Sequence, residues 1–453
     1  MRLTGRTRSH SPRAKRAAAI AAGALVAAVA LTACSSGGSG SASSSGGSSK
    51  APGNATKGSI TWWASPITTS GTDPRTVLIN DFEKQYPNIK VKLISAPNDT
   101  DTNRATLTTQ ISGGGGPDVY MGDVIWPAQF ASHQLALDLS KYLPKSYFST
   151  FASGLTQGAS YKGDVYGAPF FEDQGFLYYR KDLLQKDGLS VPTTWEQLEA
   201  DAKTIQSKGQ TQYGYVFQGA DYEGATCDFA EILADAGGSV LNSAATKGTL
   251  DSAAALKALK FEQSLVTSGV SPKASSTYQE TQSMNAFQSG QAAFLRNWDY
   301  AYSTSQAAGS KVIGDVGVAP MPTFSGQSTP GYSNVGGWNL YVNPHSKNVA
   351  ADLTFIKFMT AKTAQTALAT QFSEIPTISS VRSASDVKSA NPVLAIISQT
   401  KLVARPSNSP QYPQISQAVY DNVNAVLAGS ETPQAALKKA NDSINTAVKG
   451  GGL

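Results

Sequence analysis

Hydrophobic and polar positions change their period several times along this chain, and each change marks an element. Ser59-Ile60-Thr61-Trp62-Trp63 is a short run of β-branched and aromatic residues and predicts a first strand. Asp73-Pro74 opens a helix, because proline suits the first turn, and Val77, Leu78, Phe82 and Tyr86 supply its apolar face. Ile89, Val91 and Leu93 alternate with Lys90 and Lys92, the pattern of a half-buried strand. Leu107 and Ile111 lie on a further helix that Gly113 to Gly116 ends, and Asp118-Val119-Tyr120-Met121-Gly122 is a third strand. Strand and helix alternate, which predicts a mainly parallel sheet in an α/β fold. Beyond this the chain becomes more helical. Thr193-Thr194-Trp195-Glu196 reads as a capping-box start, and Trp195, Leu198, Ala202 and Ile205 share one helical face. Val349, Leu353, Ile356 and Met359 repeat helical spacing, Gln414 to Leu427 and Pro433 to Val448 read as closing helices, and no internal repeat is visible.

The beginning of the chain follows a different pattern. Arg2, Arg6, Arg8, Arg13, Lys15 and Arg16 precede an apolar run, Ala17 to Leu31, that is shorter than the ~20 residues of a membrane span. Basic head, short apolar middle and small residues describe a secretory signal peptide over 1–33, and without a twin arginine the expected route is Sec export. Leu31-Thr32-Ala33-Cys34 is similar to a bacterial lipobox. That resemblance implies cleavage before Cys34 and lipidation there, leaving the protein on the extracellular face of the cell membrane. Each buried acyl methylene would contribute about 0.8 kcal/mol. The Ser/Gly-rich stretch from Ser35 to Gly58 buries too little apolar surface to fold, so 34–58 reads as anchor and flexible linker.

This start changes the charge argument. The whole chain has 37 basic and 32 acidic residues, a net charge of +5. Removal of the six early basic residues leaves 31 against 32, and no basic surplus remains to argue for nucleic acid. Cys227 has no partner once Cys34 is lipidated, so no disulfide framework is expected. Close to 400 residues follow the linker, more than one small core holds, so two lobes are expected.

Ligands of open α/β sheets sit beyond the carboxyl ends of the strands. The first strand delivers Ser65 there and the third delivers Asp123, for which a helix cap is the alternative reading. Aromatic residues stand beside polar ones in Pro169-Phe170-Phe171-Glu172-Asp173, Asp221-Tyr222-Glu223-Gly224, Arg296-Asn297-Trp298-Asp299-Tyr300 and Gly336-Gly337-Trp338-Asn339. Aromatic rings match the C–H face of a sugar, and carboxylates, Asn and Arg match its hydroxyl rim. The same rings also read as core. The glycine pair before Trp338 permits close backbone approach or marks a bulge.

Other chemistries find less support. No Cys/His cluster has metal-ligand spacing, no phosphate-binding Gly-x-x-x-x-Gly-Lys occurs, and no Gly-x-Ser-x-Gly is present. Catalytic residues, metal and cofactor are therefore all expected to be none. A secreted glycosidase, which needs two carboxylates flanking a bond, stays open through Glu172, Asp173 and Glu223.

Several motifs in order carry a family resemblance. Gly163-Asp164-Val165-Tyr166-Gly167-Ala168-Pro169, Leu177-Tyr178-Tyr179-Arg180-Lys181-Asp182-Leu183-Leu184, Val191-Pro192-Thr193-Thr194-Trp195, Pro320-Met321-Pro322 and Gly336-Gly337-Trp338 match in that order. From about Gly58 to Val448 the chain resembles the sugar-binding lipoproteins of ABC importers, the extracellular solute-binding proteins of family 1. Asp123-Val124-Ile125-Trp126-Pro127, Tyr222-Glu223-Gly224, Arg296-Asn297-Trp298 and Ala404-Arg405-Pro406 look like its trehalose/maltose-binding branch. The resemblance implies a two-lobed, periplasmic-binding-protein-like α/β fold of type II, closing on its ligand about several hinge crossings. It puts one lobe at 59–170 and 318–360 and the other at 171–317 and 361–453. It carries ligand roles onto Asp123, Asp173, Glu223, Trp298, Gly337, Trp338 and Arg405, and suggests Phe171, where relatives often have Tyr, and Ser65. The implied function is not enzymatic. A lipid-anchored monomer delivers a disaccharide, trehalose first and maltose second, to an ABC permease with a cytoplasmic ATPase. A maltodextrin or other oligosaccharide is the alternative cargo, and a sensor or adhesion lipoprotein that binds sugar without transport is an alternative role.

Overall fold

Strand β1 (Gly58–Ala64) starts the sheet because its alternate residues Ile60, Trp62 and Ala64 are buried. A computed structural model describes residues 54–68 and 72–450; the signal peptide, Cys34 and most of the linker lie outside them. The other strands are β2 (Ile89–Ser95), β3 (Val119–Asp123), β4 (Ser160–Tyr161), β5 (Asp164–Val165), β6 (Ala168–Arg180), β7 (Tyr213–Val216), β8 (Ala292–Trp298), β9 (Val316–Ala319), β10 (Tyr332–Val342), β11 (Ile375–Pro376) and β12 (Lys401–Val403). The main sheet runs β2-β1-β3-β10-β6-β8-β7.

The sheet is mixed, which corrects the expectation of a mainly parallel one. β1 pairs in parallel with β2 and β3, and β7 with β8, where intervening helices carry the chain back. The long strands β6 and β10 instead pair antiparallel with each other, β10 with β3, and β6 with β8 and β9. β6 is entered from the tight β4–β5 hairpin, whose Lys162 and Gly163 have φ of 51° and 95°. The first half of β6 pairs with β10, and its second half, Gly175–Tyr179, with β8. One strand thus belongs to both halves of the sheet, giving the two-lobed, periplasmic-binding-protein-like α/β fold.

Two of the four apolar clusters among the described residues hold most of the core. In one, Trp62 meets Phe355 edge-on at 5.2 Å, and Phe82 meets Phe355 and Phe358 at 5.1 and 5.3 Å. In the other, Trp195, Phe229, Leu259, Val423 and Ile444 bury the inner faces of five helices. Helix Trp195–Ser207 is capped by Thr194, whose hydroxyl accepts from the Gln197 N–H at 3.2 Å. Gln197 therefore holds the box position that the sequence pattern gave to Glu196. Glu196 instead accepts from the Ser325 N–H and hydroxyl at 3.0 and 2.9 Å. Among the described residues no helix is long and apolar enough to cross a membrane.

Candidate functional site

All nine residues singled out as ligand candidates line one cavity of about 110 Å³. Since a water needs about 10–15 Å³ of such space, this is room for several waters or for a small polyhydroxy molecule in their place. Ser65 follows β1, Asp123 ends β3, Phe171 and Asp173 lie on β6, Trp298 ends β8, and Gly337 and Trp338 lie on β10. Glu223 opens helix Glu223–Asp235, and Arg405 follows β12.

Arg405 organises one side. Its guanidinium donates to Glu223 Oε1 at 2.7 Å, Asp123 Oδ1 at 3.3 Å and the Val335 carbonyl at 3.3 Å. Glu223 also accepts from the Tyr412 hydroxyl at 2.5 Å and the Ser416 hydroxyl at 2.6 Å. Asp123 accepts from the Ile125 N–H at 3.1 Å, a local turn, while Trp126 caps the following helix. Burial raises the pKa of both carboxyls, and the nearby Arg405 charge opposes that shift.

Trp298 is buried with the Arg296 guanidinium 4.0 Å from its ring centroid, so a cation holds the ring in place. Trp338 is half-buried and meets Trp126 edge-on at 6.4 Å. Gly337 has φ of 114°, and a Cβ there would meet the Phe171 carbonyl oxygen at 2.4 Å. Close approach is thus the reason for glycine, and the register shift falls one step later, between Trp338 and Asn339. Ser65 donates to the Pro97 carbonyl at 2.8 Å and accepts from Asn103 at 3.1 Å. Its proton is therefore already committed within the protein.

The cavity also includes residues the sequence reading passed over as ligand candidates: Tyr222, Glu280, Tyr300, Asn98 and Thr100. Tyr222 and Tyr300 stood inside quoted aromatic–polar stretches, while Glu280 lies in a polar helix start with no distinguishing pattern. Asp101 accepts from the N–H of the lining residue Glu223 at 3.2 Å, and Asp99 accepts from Gln279 at 3.2 Å. Burial, then the Glu223 charge, pushes the Asp101 pKa up to about 6. Glu172 is absent from the lining: Gln174 and Arg382 hold its carboxylate at 2.7 and 2.8 Å. Among the described residues this leaves Asp173 and Glu223 of the three glycosidase candidates in the cavity, with Glu223 already engaged by three donors.

A concave site with aromatic walls and charged hydrogen-bonding groups suits a neutral polyhydroxy ligand. Comparison with known proteins gives the same class. Residues 68–366 match the family of bacterial extracellular solute-binding proteins. A probable ABC transporter-binding protein of Deinococcus radiodurans is 35% identical over 80% of this chain and 87% of its own length. Maltose-bound MalE3 of T. maritima superposes with a TM-score of 0.81 at 32% identity, covering 86% of this chain and 99% of that one. A solute-binding protein of an ABC transporter from Thermotoga lettingae, bound with α-D-tagatose, superposes at 0.78 with 28% identity over 86% of this chain and all of that one (100%).

Proposed function

We propose, on the premise that this chain belongs to the bacterial extracellular solute-binding proteins, that it captures an α-linked glucose disaccharide, trehalose first and maltose second, for an ABC importer. The observation that carries this reading is the meeting of Trp298, Trp338 and Phe171 with Asp123, Asp173, Glu223 and Arg405 around one cavity. Rings would cover the C–H faces of the sugar, and the polar groups would pair with its hydroxyls. The maltose-bound relative supports this choice. The tagatose-bound relative makes other sugars necessary arms of the test.

The lobes would rock about β6 and β10, and the contacts of Asp101 with Glu223 and of Asp99 with Gln279 would form on closing. The closed, loaded form is what the permease and its ATPase would receive, the cytoplasmic subunit supplying energy. Calorimetric titration with trehalose, maltose, maltotriose and tagatose tests the cargo. Trp298→Ala should weaken the preferred disaccharide several-fold, since stacking contributes about 0.5–1.5 kcal/mol beyond buried area. Preference for maltotriose would replace the disaccharide reading with a maltodextrin one. Unchanged affinity in Trp298→Ala would remove that ring from the site.

Anchoring through Cys34 is part of the same proposal. Cell fractionation should find wild type with the membrane and Cys34→Ser in the soluble fraction, because the thiol that takes the lipid is gone. Equal membrane retention of both would overturn the anchor.

A further inference from the structure

Asp173 shares its surroundings with two carboxyl groups that lie outside the cavity lining. Oxygens of Asp173, Asp299 and Glu374 lie within 4.8 Å of one another, and Asp299 and Glu374 are fully buried. Among the described residues no basic side chain is paired with them: Arg382 is paired with Glu172 and Arg405 with Asp123 and Glu223. Asp299 accepts backbone N–H groups at both oxygens, from Gln174 at 3.3 Å and Ile375 at 2.9 Å. Glu374 differs. Both its oxygens are buried with no donor, and one oxygen of Asp173 is likewise unpaired. Glu374 also follows the carboxyl end of helix Lys362–Phe372, its own N–H bonded to the Leu368 carbonyl at 3.3 Å. A helix carboxyl end disfavours an anion, and three buried charges at this spacing without a cation are untenable.

We infer that Glu374 is a positioning residue for the cavity: it remains a carboxylic acid and donates its proton into the Asp173–Asp299 pair, fixing the carboxylate that faces the ligand. The functional half of this inference rests on the sugar reading above; the protonation half does not. Burial pushes Asp173 up to about 7 and raises Asp299 and Glu374 well above their ordinary values. The other titratable groups that face the cluster are Glu172, Asp123, Tyr178 and Tyr300. Tyr178 spends its proton on the carbonyls of Trp298 and Asp299, at 2.7 and 3.2 Å. Because these carboxyls are raised on folding, they stabilise the fold fully below the ordinary carboxylate range. That contribution is lost as pH rises through the folded values.

Three measurements decide the matter. Glu262 is likewise buried, with its carboxyl raised by burial, so the readout is a difference: infrared spectra of ligand-free protein with isotope-labelled glutamate should show a protonated carboxyl component at neutral pH that is lost in Glu374→Gln and kept in Glu262→Gln. No loss of such a component in Glu374→Gln overturns the inference whatever ligand the protein binds. Sugar titrations then read the positioning role. Glu374→Gln, whose amide is a neutral donor, should bind within about twofold of wild type, whereas Glu374→Ala should bind at least about fivefold more weakly, the loss of one hydrogen bond to a charged group. From about pH 6 to about pH 8, wild type should lose more thermal stability than Glu374→Gln. Equal weakening by Gln and Ala overturns the positioning role. So does a stoichiometric calcium ion in wild type whose removal by chelator weakens sugar binding, since a cation would then hold the three carboxylates. If none of the sugars binds, the sugar reading fails, and the infrared band with the pH–stability profiles alone decides whether Glu374 is the proton donor.

Discussion

Arg405→Ala is expected to weaken binding of the preferred sugar by on the order of 100-fold and to lower stability as well. The side chain is buried and bridges Glu223, Asp123 and the Val335 carbonyl. Removing one member of a buried ion-pair network costs about 3–5 kcal/mol, mainly because the remaining charges are stranded. Glu223 and Asp123 would take up a proton or shift apart, and either response spoils their hydrogen bonding to a ligand. A loss of about 3 kcal/mol expressed in binding is roughly 150-fold. Arg405→Lys should recover little, since an ammonium lacks the planar fork that reaches two carboxylates at once. Calorimetry on the three proteins checks this, and wild-type affinity in either variant would refute the role given to the fork.

Arg296→Leu is expected to act mainly on stability. Arg296 is fully buried and donates to Glu231 Oε2 at 3.0 Å, Glu231 Oε1 at 2.5 Å and Gln218 Oε1 at 3.0 Å, with Asp228 at 3.1 Å. Glu231 Oε1 also accepts from the Asn334 N–H at 2.8 Å, so the network ties β8, helix Glu223–Asp235 and β10 together. Leucine fills much of the volume but strands two carboxylates, at about 3–5 kcal/mol. In a chain of this length that lowers the melting temperature by about 5 °C. Trp298 also loses the cation against its ring, so sugar binding should weaken too. Combining Arg296→Leu with Asp228→Asn and Glu231→Gln should restore part of the stability. Thermal melts of the single and triple variants make the comparison, and no loss in the single variant would refute the stranded-charge argument.

Local signals made much of the first half of the fold legible. Asp73 caps the helix that Pro74 opens, Leu107 and Ile111 are buried as their spacing requires, and β3 delivers Asp123 to the cavity. Strand direction was less legible, because β6 and β10 are placed by pairings between residues far apart, such as Asp173 with Gly336. Helix Glu223–Asp235 was not picked out in the sequence, and nearly all its residues are buried, Asp228, Glu231 and Asp235 among them. Its acids find partners far along the chain, in Arg296, Asn334 and Trp195. Within the site, residues in aromatic–polar clusters were visible, whereas Glu374 was not, since its meaning lies in contacts rather than in neighbours along the chain.

The place of β10 between β3 and β6 bears on the order in which the chain can fold. Trp338 lies opposite Asp123 and Gly336 opposite Asp173, so the central strand is made after both of its partners. Until Tyr332–Val342 is present, β3 and the first half of β6 each lack this neighbour. Loop closure over such separations slows folding. A chain shortened before β10 should therefore present open strand edges, which invite aggregation.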